Sequence, residues 1–213
     1  MDVPIEKLDS PINGTLEVII RDGRYALVCG NAIYSFEDKY YNFRIGLGAL
    51  DLTSLLDKPI LVLGWGLGSI LQLLEQSYSS IPLDITAIEK DPAVIELFNT
   101  YILKACKNKP KTIIDDAVTF LEKDRSIYSL IIIDIFIEDN IPETIQSRSF
   151  LQSVYDRLDE NGLVIFNTLQ KHEDIGSESN SVKHRFKQIF PEVDEIKINK
   201  NVLLMNTSRY LKK

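Results

Sequence analysis

Four short stretches carry residues that could do chemistry. In "ILVLGWGLGS" the glycines Gly64, Gly66 and Gly68 make a turn whose backbone a ligand can approach closely. Further on, "ITAIEKDP" places Glu89 about twenty residues past that turn, where a carboxylate accepts both hydroxyls of a ribose. In "TIIDDAVTFLE" the carboxylate of Asp116 offers an acceptor to an adenine amino group, while the backbone amide of Ala117 faces a ring nitrogen. Asp116 also occupies a helix N-cap position, and the two roles are compatible. In "YSLIIIDIFIED" the carboxylate of Asp134 follows an apolar run, where it can hold a cation, orient or deprotonate an amine, or contact a cofactor's amino group.

These residues need a scaffold that brings them to one edge, and the pattern supplies it. From Ile60 onward apolar runs at 60–64, 83–89, 111–114, 129–134 and 163–168 alternate with helical spacing. Val94, Leu97, Phe98, Tyr101 and Ile102 recur at helical intervals, with Asp91 as N-cap and Pro92 at the first helical position. Leu151, Val154, Tyr155 and Leu158 repeat the interval, as do Val182, Phe186, Ile189 and Phe190. Such alternation predicts a parallel sheet with helices on both faces, and in such sheets ligands sit beyond the carboxyl ends of the strands.

Both ends of the chain depart from that alternation. Residues 15–20 and 24–29 are β-rich runs around Asp22-Gly23, a two-residue hairpin turn, with a further strand expected near 32–36. The stretch "YYNFRIGLGALDLTSLL" then bridges to Pro59 as a helix or turn. At the other end "VDEIKINKNVLLMNTS" predicts two strands about a polar turn at 199–201, so that the last strand runs antiparallel. Five alternating strands finished by a β-hairpin are the layout of the seven-stranded class I methyltransferase sheet. The expected organisation is a small N-terminal β unit over 1–50 and a Rossmann-like domain over 51–213.

Composition narrows the function classes. The 213 residues are 45% hydrophobic and 26% charged, ordinary values for a globular protein. The start, "MDVPIEKLDSP", lacks the apolar core of a secretory signal, and the longest apolar run is too short for a bilayer, which predicts a cytoplasmic protein without a membrane partner. A formal net charge of −7 disfavours nucleic acid as a partner. Cys29 and Cys106 have no zinc-type spacing and read as buried thiols. His172 and His184, the only histidines, do not form a metal-ligand pair.

The cofactor is narrowed by the same residues. Ser69 stands where a dinucleotide fingerprint expects its third glycine, so the turn leans away from NAD, whereas Glu89 suits NAD and a sulfonium nucleoside equally. Trp65 inside the turn either packs beneath it or walls the cofactor pocket, with packing slightly favoured.

In order and spacing, "ILVLGWGLGSILQLLEQ", "ITAIEKDPAVIELF", "TIIDDAVTFLEK", "YSLIIIDIF" and "RSFLQSVYDRLDENGLVIFNTL" resemble the spermidine synthase family. The resemblance covers nearly the whole chain. It implies S-adenosylmethionine or its decarboxylated form as cofactor, held by Gly64, Gly66, Gly68, Glu89, Asp116 and Ala117, with Asp134 as the catalytic carboxylate. It also implies oligomer contacts, as in a homodimer, through the N-terminal unit.

The departures from the family are informative. Its glycine turn is typically GGGDG, and here Trp65 and Leu67 replace a glycine and the aspartate that helps bind the ligand's charged end. Its D-[ST]-x-D stretch keeps Asp134, but Ile137 stands three residues on, with Glu138 and Asp139 out of register. Its Tyr-His-Glu run corresponds to Tyr41-Asn42-Phe43. A diamine needs carboxylates to receive its two charges. The expected activity is therefore methyl transfer from S-adenosylmethionine to a small-molecule acceptor. Aminopropyl transfer and a non-catalytic binding module are the alternatives, and "HEDIGSESNS" is a connection or lid beside the acceptor pocket.

Overall fold

Alternate residues of each central strand are buried on opposite faces, which fixes the layering of the molecule. The computed structural model describes residues 2–30, 32–137, 140–169 and 181–212. Strands β1 (Val3–Ser10), β2 (Gly14–Arg21), β3 (Arg24–Cys29) and β4 (Ala32–Ser35) form an antiparallel sheet in that order. After helix α1 (Tyr41–Gly48) come β5 (Ile60–Leu63), α2 (Ser69–Ser77), β6 (Ile85–Glu89), α3 (Pro92–Tyr101), β7 (Lys111–Ile114) and α4 (Ala117–Lys123). The chain continues with β8 (Tyr128–Ile133), α5 (Arg148–Tyr155), β9 (Leu158–Leu169), α6 (Val182–Ile189), β10 (Asp194–Ile198) and β11 (Asn201–Met205).

The second sheet has seven strands in the order β10-β11-β9-β8-β5-β6-β7. β5 pairs parallel with β6 and β8, β6 with β7, and β8 with β9, whereas β11 runs antiparallel to both β9 and β10. This is the predicted seven-stranded sheet with its closing hairpin. Asn199 takes the turn at a φ of 53°, which asparagine tolerates.

Ile60 and Val62 of β5 join Ile85, Leu130 and Ile165 in a core that also takes in α2 and α3 and Leu16, Val18 and Leu27 of the first sheet. Leu61 and Leu63 face the other way, with Ile131, Ile133 and Phe166, against Phe120, Phe150 and Phe186 of α4, α5 and α6. Every residue of β8 is buried, as its unbroken apolar run requires. Both free cysteines are buried. Among the described residues no helix is long and apolar enough to cross a membrane.

Two local readings change. Leu158 opens β9 rather than continuing α5, which ends at Tyr155. The N-terminal unit also has a strand, β1, that the pattern does not announce. Its residues are mostly exposed because it is an edge strand paired to β2 alone, with a register shift between Pro4 and Glu6.

Candidate active site

The parallel register places the chemistry-bearing residues along one edge. Leu63 pairs with Ile88 and Ile133, and Glu89 with Ile114, so Gly64, Glu89, Asp115 and Asp134 all emerge at the carboxyl ends of adjacent strands. A cleft of about 660 Å³ opens there, within the usual range for small-molecule sites. Gly64, Gly66, Glu89, Asp116, Ala117 and Asp134 line it.

Gly64 has a φ of 87°, and a Cβ there would strike the Asp134 carbonyl at the end of the neighbouring parallel strand. Gly66, at φ 55°, lies against β4: an added Cβ would sit 3.2 Å from the Ser35 Cβ and 3.3 Å from the Tyr34 carbonyl. Gly68 is placed differently. It is not among the cleft-lining residues, and at φ 75° it opens α2, with space that a Cβ would contest with Phe98 at 2.8 Å. Trp65 packs edge-on to Phe98, ring centroids 5.4 Å apart, and Leu67 is wholly buried. Trp65 thus belongs to the core, with its indole Nε1 buried and unpaired.

Glu89 is held by the backbone. Its Oε2 accepts from the amides of Trp65 at 3.1 Å and Gly66 at 3.2 Å, and its Oε1 from the Asp91 amide at 3.0 Å. Burial raises its pKa above the ordinary value, and these three amides offset part of that rise. A carboxylate fixed in this way beside a glycine turn presents its remaining lone pairs to vicinal hydroxyls. Asp116 caps α4, accepting from the amides of Val118 and Thr119, and pairs with Lys90 at 3.1 Å. Burial works to raise its pKa, but the Lys90 hydrogen bond and the two amides outweigh it and hold the carboxyl below the usual range.

Asp134 has a different setting. The Asn167 side-chain amide donates to its Oδ1 at 2.8 Å, and the Asn201 side-chain amide donates to Asn167 Oδ1 at 2.9 Å. The Tyr40 hydroxyl bonds to it from the N-terminal side. Burial pushes the Asp134 pKa up to about 6, the charge of Glu89 adds to the rise, and the Asn167 and Tyr40 hydrogen bonds only partly oppose it. Tyr40 is in turn pushed well above its ordinary value, by burial and by the neighbouring carboxylate.

Sequence reasoning does not single out Tyr40, Asn167 or Asn201. Asn167 leaves a trace: it is a wholly buried amide in an apolar strand, and the pairing of Ile133 with Phe166 puts it beside Asp134. Of the run 41–43, Asn42 lines the cleft, Phe43 is buried in the core and Tyr41 is exposed. Ile137 lines the cleft, whereas Glu138, Asp139, His172 and most of the 172–181 loop lie outside the described residues. His184 sits on α6 within reach of Gln188, and no metal-ligand cluster occurs among the described residues.

The first sheet walls the cleft with Ile12, Asn13, Ile33 and Tyr34. Two buried polar contacts fasten it. Ser35 and Ser69 share a hydrogen bond of 2.7 Å, and the Phe36 amide donates to Ser69 Oγ. Asp91, wholly buried, accepts from Ser10 and from the Asn13 side chain while also capping α3. Ser69 therefore serves as a fastening rather than as a substitute for a ligand-facing glycine.

The chain aligns with the polyamine aminopropyltransferase of Vibrio vulnificus (strain CMCP6) at 27% identity over 171 residues, 75% of this chain and 55% of that enzyme. It thus spans about half the length of that relative. A probable spermidine synthase from Corynebacterium glutamicum ATCC 13032 superimposes with a TM-score of 0.74 at 17% identity, over 95% of this chain and 78% of the other. Human methyltransferase-like protein 13, in complex with SAH, superimposes with a TM-score of 0.64 at 22% identity, over 82% and 85%. The spermine/spermidine synthase domain model matches residues 47–205, and the chain belongs to that family.

Proposed function

We propose that this protein transfers a methyl group from S-adenosylmethionine to a small acceptor bound against Asp134. Membership of the spermine/spermidine synthase family and a fold shared with a methyltransferase support a transferase that uses S-adenosylmethionine or a close analogue. The donor half of the cleft suits a nucleoside: Glu89 has lone pairs left for ribose hydroxyls, and Asp116 and Ala117 stand at the end of the next strand for an adenine.

The observation that carries the choice of reaction is the scarcity of free carboxylates among the described residues that line the cleft. Glu89 is engaged by three amides, Asp115 pairs with Lys123 and Asp116 with Lys90. The position that in the family holds an aspartate near the ligand's charged end is Leu67, buried in the core. Each unmatched ammonium taken out of water costs several kcal/mol. Diamine chemistry is thus disfavoured, whereas methyl transfer requires chiefly alignment and exclusion of water. The cofactor supplies a methyl carbon activated by its sulfonium. Tyr40, Asn167 and Asn201 hold Asp134 where it can orient the acceptor and take up a proton.

Calorimetric titration with S-adenosylmethionine, and with the decarboxylated form in parallel, tests the reading. Preference for the carboxylated form supports it. Preference for the decarboxylated form moves the assignment to aminopropyl transfer, and binding of neither overturns both.

A further inference from the structure

We infer that the acceptor is a small amine with one positive charge and an apolar body, its nitrogen held at Asp134 and its carbon skeleton laid along Ile135, Ile137 and Ile145. The inference rests on the donor assignment above and specifies the other half of the same cleft.

Two independent observations converge on it. Asp134 is the one carboxylate lining the described cleft that is met by neither a cation nor a set of backbone amides. Asn167 and Tyr40, both neutral, are its partners. A desolvated carboxylate of this kind is completed by a single N–H donor bearing positive charge, and its raised pKa is the sign that the protein itself leaves the charge uncompensated. The neighbouring amides of Asn42, Asn167 and Asn201 can hydrogen-bond an amine but cannot neutralise a second charge.

The second observation concerns the surface around Asp134. Ile135, Pro142, Ile145 and Leu169 line the cleft, and Ile137 lies at its rim with 53% of its surface exposed. Across the opening, Ile12 and Ile33 of the first sheet are each 39% exposed and also line the cleft. Three exposed isoleucines around one opening form a surface that an apolar ligand covers and a dication does not. Among the described residues, a second ammonium on a diamine would meet these side chains and no carboxylate.

The test is a matched series of probes with one carbon skeleton. With the wild-type protein first titrated with S-adenosylhomocysteine, the loaded protein is titrated with n-hexylamine, 1,6-diaminohexane and hexan-1-ol. The expected order has hexylamine tightest, at least tenfold over both the diamine and the alcohol. In Asp134→Asn the preference of amine over alcohol should disappear while S-adenosylhomocysteine still binds. Ile137→Ser should weaken hexylamine severalfold without changing its preference over the alcohol. Equal or tighter binding of the diamine, equal binding of the alcohol, or no hexylamine binding to loaded protein overturns the inference alone. Failure of the wild type to bind S-adenosylhomocysteine overturns the donor assignment with it.

Discussion

Replacing Asp134 by asparagine should make the protein more stable while impairing its function, and the size of the gain follows from the site. The Asp134 pKa stands at about 6 against an ordinary 3.8, so between those values the native state binds more protons than the unfolded chain. Stability therefore falls as pH rises through that window, and the full difference of about two units, or roughly 3 kcal/mol, is lost by pH 8. Asparagine is isosteric and carries no charge. Its carbonyl oxygen can accept from Asn167, and its NH₂ can donate to the Tyr40 hydroxyl oxygen. Urea unfolding of the two proteins should show Asp134→Asn more stable by up to about 3 kcal/mol at pH 8, by about half that at pH 5, and by less than about 1 kcal/mol at pH 4. Transfer activity should drop at least tenfold in the same variant. Equal stabilities at pH 8, or a gain that does not shrink towards pH 4, would refute the reasoning.

Other perturbations address separate parts of the site. Glu89→Gln sets an NH₂ group against backbone donors at either Asp91 or Trp65 and Gly66, and should weaken S-adenosylhomocysteine binding by about 1.5–3 kcal/mol, read by calorimetry. Gly64→Ala combines a positive φ with a collision at the Asp134 carbonyl and should cost more than about 2 kcal/mol in urea unfolding; a loss below about 1 kcal/mol would mean that the ends of β5 and β8 separate easily. Burial pushes the Cys106 thiol up to about 11, and Cys29 is likewise buried, so the native protein should react with Ellman's reagent at pH 8 only at the rate of unfolding, with both thiols titrating at once in urea.

Much of this architecture is legible in the sequence because its interior is periodic. Strands β5 and β8 are read from unbroken apolar runs, α3 from its spacing and its Asp91-Pro92 start, and the closing hairpin from the polar residues at its turn. Strand β1 escapes such a reading, since an exposed edge strand has no buried face to impose alternation. The end of the cleft proposed to hold the donor is likewise written locally, in a glycine turn and strand-end acids. The surroundings of Asp134 are not. Tyr40, Asn167 and Asn201 reach it from three separate segments, and only strand register reveals that they meet. Gly68 shows the converse: its spacing matches the other two glycines, but packing against Phe98 and Trp65 accounts for it.

The two fastenings of the first sheet bear on how the cleft is kept in repair. Ser35 meets Ser69 one residue past the glycine turn, and Ser10 and Asn13 meet Asp91 two residues past Glu89. One rivet thus follows directly on the glycine turn, and the other lies two residues from Glu89, which lines the cleft. A ligand seated between the wall and the sheet edge draws on both at once, so fraying of the amino-terminal sheet and departure of the ligand become a single linked equilibrium. Occupancy of the cleft should then act as a latch on the first sheet, and slower amide exchange around 10–14 and 32–36 on adding S-adenosylhomocysteine would report it.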